Sequence, residues 1–208
     1  DRMCVDAFGY SIQATSHFRQ QALVFGSDIY QERIESSRVE WNPPSGQSIE
    51  RRAVYPNGSR YQTTGLFVQD MIELVPGRWR AVAGGRLTHV GFRTFADRNL
   101  DRLGRSLGVS DSVQSFRDAT FHGSLSWQIA PQFGWHALVG RGFRAPNLND
   151  LGAIGLNDLG YEVPASEAEG SGALIGNSSG EGAIPSGRPA RGLRSEKLLN
   201  YETGLTLH

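Results

Sequence analysis

The feature that most constrains this 208-residue chain is an apolar–polar alternation of period two that recurs along its length. Phe8, Tyr10, Ile12, Ala14 and Phe18 alternate with Gly9, Ser11, Gln13, Thr15 and His17. Trp79, Ala81, Ala83, Gly85 and Leu87 alternate with Arg80, Val82, Gly84, Arg86 and Thr88. The same rhythm runs through Thr120–Ile129 and through Asn200–Leu207. Successive side chains of a strand point to opposite faces, so each run carries one apolar and one polar face. Weaker runs cover 21–34, 61–74 and 134–148. The pattern predicts strands over about 6–18, 21–37, 61–74, 78–94, 118–130, 134–148 and 197–208. One weak helical segment, Asn99–Leu107, falls between strands and lacks an apolar stripe.

The connections sharpen the reading. Short turns at Arg19-Gln20, Val75-Pro76-Gly77 and Pro131-Gln132-Phe133 alternate with long connections over 38–60, 95–117 and 149–196. Soluble sandwiches put loops at both ends without such a rule. Transmembrane barrels obey it, with short turns on one side of the membrane and long loops on the other. Phe18, Trp79, Trp127, Phe133 and Trp135 lie near short turns, and Tyr30, Tyr61, Phe92, Phe95 and Phe143 near long-loop ends. These two groups are expected to form aromatic girdles at the two headgroup levels. Gln13, His17, Arg80, Arg86, His122, Ser124, Gln128 and Glu202 would then face a wide, wet lumen. In a small dry barrel such groups would be buried at a cost of several kcal/mol each. Seven strands cannot enclose a wide lumen, and barrels of this class carry even strand numbers. Both ends of the chain read as cuts, so a piece of a longer barrel is expected. The fold class expected is all-β: an antiparallel, up-and-down transmembrane barrel segment.

Composition excludes several function classes. Charges balance at 21 against 21, without the basic excess of a nucleic-acid-binding domain. A single cysteine, Cys4, allows no internal disulfide and no cysteine-rich zinc site. No run of about 18 apolar residues offers a transmembrane helix, which leaves a β-barrel open. Gly176-Asn177-Ser178-Ser179-Gly180 matches G-x-S-x-G formally, but a nucleophile elbow needs a strand before it and a helix after it. No metal-ligand spacing and no phosphate-cradling glycine loop is present, so no enzyme activity, resident metal or cofactor is expected.

Four segments carry a family likeness. Gly140-Arg141-Gly142-Phe143-Arg144-Ala145-Pro146-Asn147-Leu148-Asn149-Asp150-Leu151 resembles the G-F-R-A-P-x-L-x-x-L strand end of TonB-dependent outer-membrane receptors. Ser195-Glu196-Lys197-Leu198-Leu199-Asn200-Tyr201-Glu202-Thr203-Gly204-Leu205 is similar to the family's P-E-x-x-x-N-Y-E-x-G strand start, with Ser195 where proline is usual. Gly65–Leu74 resembles the F-x-Q-D-E-I strand, with Met71 in place of the acidic residue, and Arg80–Arg86 the L-x-x-G-x-R strand that follows. The motif residues singled out are Gly142, Phe143, Arg144, Ala145, Pro146, Asn200, Tyr201, Glu202 and Gly204.

The resemblance implies a 22-stranded barrel closed by an N-terminal plug. Such a receptor imports a scarce ligand, a ferric siderophore or other iron complex, with energy passed from the inner membrane through TonB. Residues 1–208 would form part of one barrel domain in the bacterial outer membrane, with the plug and remaining strands outside the sequence. Expected partners are outer-membrane lipid and lipopolysaccharide, TonB through the missing N-terminal part, and the small iron chelate. A passive channel or a surface adhesin barrel is the alternative, and a soluble sugar-binding sandwich a third.

Within the motif, Pro146 lacks a backbone donor and belongs where the strand ladder ends. Arg144 would meet lipopolysaccharide phosphates or plug carboxylates, or serve as a conformational lock or surface cation. Glu202 would face the lumen, in a structural ion pair or against ligand. Two basic clusters, Arg98, Arg102 and Arg105, and Arg188, Arg191 and Arg194, are candidates for attracting an anionic chelate. The competing reading is a solvated loop balanced by Glu162, Glu167, Glu169 and Glu181. Haem receptors of the family add a histidine in the loop after Pro146 and an N-P-N-L box, and this sequence has neither. The five histidines, His17, His89, His122, His136 and His208, all fall on predicted strands.

Overall fold

The computed structural model describes residues 2–51, 53, 55–95, 111–147, 150–151, 155–157, 160–162, 174–177, 184–189 and 191–207. The strands are β1 (Arg2–Phe18), β2 (Gln21–Asn42), β3 (Gln47–Arg51), β4 (Arg60–Val75), β5 (Trp79–Thr94), β6 (Ser112–Ala130), β7 (Phe133–Arg144), β8 (Gly155–Asn157), β9 (Gly160–Glu162), β10 (Leu174–Gly176), β11 (Pro185–Pro189) and β12 (Glu196–Leu207). Seven of them form one antiparallel sheet in the order β1-β2-β4-β5-β6-β7-β12, with β3 paired to the far end of β2. These seven are the strands the alternation predicts, joined in chain order, and the sheet is open between β1 and β12. Asn99–Leu107 lies outside the described residues.

Directly opposed residues share a face, so the register sorts every side chain. Ile12 faces Ser27, Ser27 faces Leu66, Leu66 faces Leu87 and Leu87 faces Ala119. This face is the apolar one. Its side chains stay uncovered: Phe8 is 67% exposed, Leu87 61% and Leu205 65%. A protein surrounded by water rarely shows a contiguous apolar surface of this extent.

The polar face carries Gln13, His17, Arg80, Arg86, His122, Ser124, Gln128 and Glu202, the set the alternation puts together. Among the described residues, a dry core exists only at its long-loop end. There the segment 55–59 folds back along β2. Ile34 N–H donates to the Ser59 carbonyl at 2.9 Å, and Gly58 N–H donates to the Ile34 carbonyl at 2.8 Å. Gly58 holds a φ of 84°, which a side chain would strain. Ile34, Val90, Phe92, Thr94 and Leu151 are buried around this segment.

Three expectations need correction. The connection over 38–60 is not simply a loop. β2 runs on to Asn42, turns through Pro43–Gly46 and pairs back through β3, with Trp41 opposite Ser48. The alternation of Val39 and Trp41 with Arg38 and Glu40 already carried this signal. Strand seven ends at Arg144 rather than 148, because Pro146 offers no donor to continue the ladder. The long-loop aromatics do not form a girdle as a group. Tyr30 stands opposite Gly9 and Thr63, and Tyr61 opposite Phe92, all on the polar face, and Phe92 is only 1% exposed. Of that group Phe143, opposite Lys197, shares the apolar-face parity of Val139 and Tyr201, and Phe95 lies one residue beyond the end of β5.

The short-turn aromatics do sit on the apolar face. Trp79 and Trp127 are directly opposed and stack at 4.8 Å with planes 9° apart, and Trp135 stands opposite Trp127. The first turn uses Arg19 at a φ of 53°, an unusual left-handed position for a residue with a side chain.

Candidate functional site

The polar face is a ladder of paired charges and amides. Arg86 grips Asp28 with both guanidinium nitrogens, Nη1–Oδ1 at 2.7 Å and Nη2–Oδ2 at 2.8 Å, while its Nε donates to Thr88 Oγ1 at 3.2 Å. Arg80 pairs with Glu73 at 3.1 Å. His122 Nε2 lies 3.1 Å from Gln69 Oε1, and His136 Nε2 lies 3.7 Å from Glu202. Several of these groups lie across glycines. A Cβ on Gly65 would sit 2.0 Å from Arg86 Nη2, one on Gly84 2.4 Å from His122, and one on Gly204 2.6 Å from His136. The glycines give large polar side chains room to lie flat along the wall. This is why glycines interrupt the polar runs of the sequence.

The two long motifs, some 45 residues apart in sequence, are neighbouring strands. Arg144 stands opposite Glu196, Phe143 opposite Lys197, Gly142 opposite Leu198, Gly140 opposite Asn200 and Val139 opposite Tyr201. Arg144 and Glu196 form an exposed ion pair at 3.3 Å. Asn147 N–H donates to the Asp150 carboxylate and Asp150 N–H to Asn147 Oδ1, each at 3.0 Å, closing a turn just after Ala145-Pro146. Tyr61 Oη donates to the Pro146 carbonyl at 3.4 Å, tying that turn to β4. The result is a cleft of about 290 Å³ at the long-loop end, lined by Arg144, Pro146, Asp150, Leu193, Arg194 and Glu196. Beside it, Arg141 and Lys197 converge on Asp118, Arg141 at 2.7 Å and Lys197 at 3.7 Å.

Of the described basic candidates Arg188, Arg191 and Arg194, Arg194 alone lines this cleft. Arg188 lies in β11 and Arg191 beyond it, both exposed, and neither reaches it. Arg98, Arg102 and Arg105 lie outside the described residues, as do His208, Glu167, Glu169, Glu181 and the serines of Gly176–Gly180. Among the described residues no three His, Cys, Asp or Glu side chains form a metal-holding group. Alternation does not name the partners Asp28, Glu73, Gln69 and Asp118. Those pairings depend on register, and one sequence carries no trace of which diagonal neighbours meet.

Charged and amide groups spread along this wall among the described residues. Comparisons with known proteins agree with the architecture. The family described as "TonB dependent receptor-like, beta-barrel" matches residues 6–208. No curated protein sequence matches. Among solved structures, one described as "Copper transporter OprC" superposes with a TM-score of 0.58 at 13% identity, over 72% of this chain and 23% of that one. The likeness is one of fold, and the chain spans under a quarter of that transporter's length. An apolar face bare to its surroundings, a charged face behind it, seven meandering strands and a family match across nearly the whole chain lead to one conclusion: the chain belongs to the TonB-dependent receptor β-barrel family and is a segment of an outer-membrane barrel.

Proposed function

We propose that residues 1–208 are part of the single barrel domain of a receptor that captures a scarce ligand at its long-loop mouth. Import follows, driven by energy transmitted through TonB to a plug domain outside this sequence. The ligand class we favour is an anionic metal chelate, with a ferric siderophore or another iron complex first. The observation that carries this reading is the two-faced sheet, whose charged face is packed only at its long-loop end among the described residues and so suits a wide, plugged lumen. The exposed arginines at 188, 191 and 194 and the Arg144–Arg194 cleft support an anionic ligand. The acidic partners Asp150 and Glu196 within that cleft temper its charge and suit a chelate with both donors and acceptors. The chain contributes binding and orientation and performs no covalent chemistry.

The test is uptake by cells carrying the complete receptor as their only route for the ligand. Radiolabelled ferric siderophores, free copper and vitamin-sized controls are offered with and without TonB. Accumulation of one iron chelate that vanishes without TonB is the expected result. Uptake that persists without TonB supports the passive channel instead. Copper uptake alone, the cargo that OprC's description names, overturns the choice of iron.

A further inference from the structure

The apolar face does not stay apolar to its end. Arg33, Arg60 and Arg93 stand directly opposite one another on β2, β4 and β5, in one unbroken row. All three share the parity of Phe25, Val68 and Leu87, so they point to the lipid side of the wall. All three are exposed. Opposed side chains in such a row start about 5 Å apart, and like charges so placed repel. No carboxylate lies within ion-pair distance of any of them among the described residues, although Asp6 stands opposite Arg33 on β1 and Glu35 lies two residues beyond it. Arg93 leans over the Phe95 ring at 5.9 Å, and among the described residues no carboxylate pairs with the row.

Arg117 on β6 lies on the same face, opposite His89 and four residues along from the row, with Nε donating to His89 Nδ1 at 3.0 Å. Counted from the short-turn ends at Gln21, Val75, Trp79 and Ala130, the four arginines lie 12 to 15 residues up their strands. At about 3.3 Å per residue and a tilt near 45°, that is roughly 30 Å above the turns. The apolar band of such barrels is about 25 Å tall, so the row sits at the headgroup level of the outer leaflet.

We infer that this row is a docking site for the phosphates of lipopolysaccharide, the phosphorylated, multiply acylated glycolipid of that leaflet. Guanidinium groups bind phosphate in a forked geometry, and three in register offer more than one phosphate a partner. Beyond an intervening belt of Gln31, Gln62 and Gly91 and then Ile29, Thr64 and His89, the uncovered Leu66 and Leu87, six residues down their strands, and Val68, eight down, give the acyl chains a surface to lie on. The charge is complementary, the depth matches, and an anion relieves the repulsion that the fold otherwise leaves in place.

This inference rests on the barrel reading, and the experiment separates the two. The complete receptor is purified from outer membranes. Its tightly held glycolipid is measured per protein by acyl-chain analysis, alongside an unheated-gel mobility shift that reports a folded barrel. The test variant is Arg33→Gln, Arg60→Gln and Arg93→Gln together. The control removes charges at the opposite end, through Arg19→Gln and Arg78→Gln. The expected result is about tenfold less glycolipid on the test variant and no change on the control, with both folded. Delipidated receptor should then rebind lipopolysaccharide but not its dephosphorylated form, and phosphatidylglycerol vesicles should not compete. Equal glycolipid on a folded test variant, or equal rebinding of phosphatidylglycerol, overturns this inference alone. A wild-type chain with no folded-barrel shift overturns the barrel reading, and this inference with it.

Discussion

Arg86→Gln is the perturbation that best separates a hydrated lumen from a dry core. Arg86 and Asp28 form a two-pronged pair whose side chains remain 34% and 26% exposed. Two unit charges about 4 Å apart attract by about 1 kcal/mol in bulk water and about 4 kcal/mol at an effective dielectric of 20. Partial exposure and the cost of stripping water from both ions pull the net value towards the lower figure. A coupling of about 1–2 kcal/mol results, above the 0.2–1 kcal/mol typical of fully exposed pairs and below the 3–5 kcal/mol lost when a buried pair is broken. The assay is a double-mutant cycle with Asp28→Asn, read by urea unfolding of the complete receptor in lipid vesicles. Salt should weaken the coupling, because ions reach a wet lumen. A value above about 3 kcal/mol that ignores salt would refute the hydrated-wall reasoning. One below about 0.3 kcal/mol would show that the two-pronged geometry contributes nothing.

Two further outcomes follow from the packing. Gly26→Ala places a Cβ 2.3 Å from the Ile12 carbonyl oxygen and 2.7 Å from Phe67. It should cost about 1–3 kcal/mol in the same unfolding assay, since backbone has to move. Trp79→Ala removes the stack on Trp127 and should cost about 1 kcal/mol beyond the lost burial, with Trp127 fluorescence becoming more accessible to an aqueous quencher.

The seven strands were legible because period two is a backbone property: Phe8–Phe18 or Thr120–Ile129 admits no other regular conformation with one apolar face. That the two long motifs neighbour each other followed from the up-and-down order, but their register did not. Arg144 meets Glu196 because of the register with which β12 returns beside β7 after a long connection, and the length of that connection does not fix it. The aromatics at the long-loop ends failed for a related reason. Nearness to a loop gives height along the barrel, whereas face depends on odd or even position. Tyr61 and Phe92 share the polar-face parity of Phe67 and Arg86. The arginine row was hidden likewise. Arg33, Arg60 and Arg93 look unrelated until register puts them side by side.

The central claim is that one face of this sheet meets lipid and the other meets water. It is tested most directly by a matched pair of arginine substitutions in the complete receptor, Leu87→Arg and Ser124→Arg, compared by unfolding free energy in vesicles. Leu87 lies midway up the apolar face, between Trp79 and Arg93, and Ser124 lies on the polar face opposite Val82. Leu87→Arg should cost about 2–4 kcal/mol, the value for a cation at the bilayer midplane, and Ser124→Arg less than about 1 kcal/mol. Equal costs, or a larger cost at Ser124, would mean that the charged wall is the buried one.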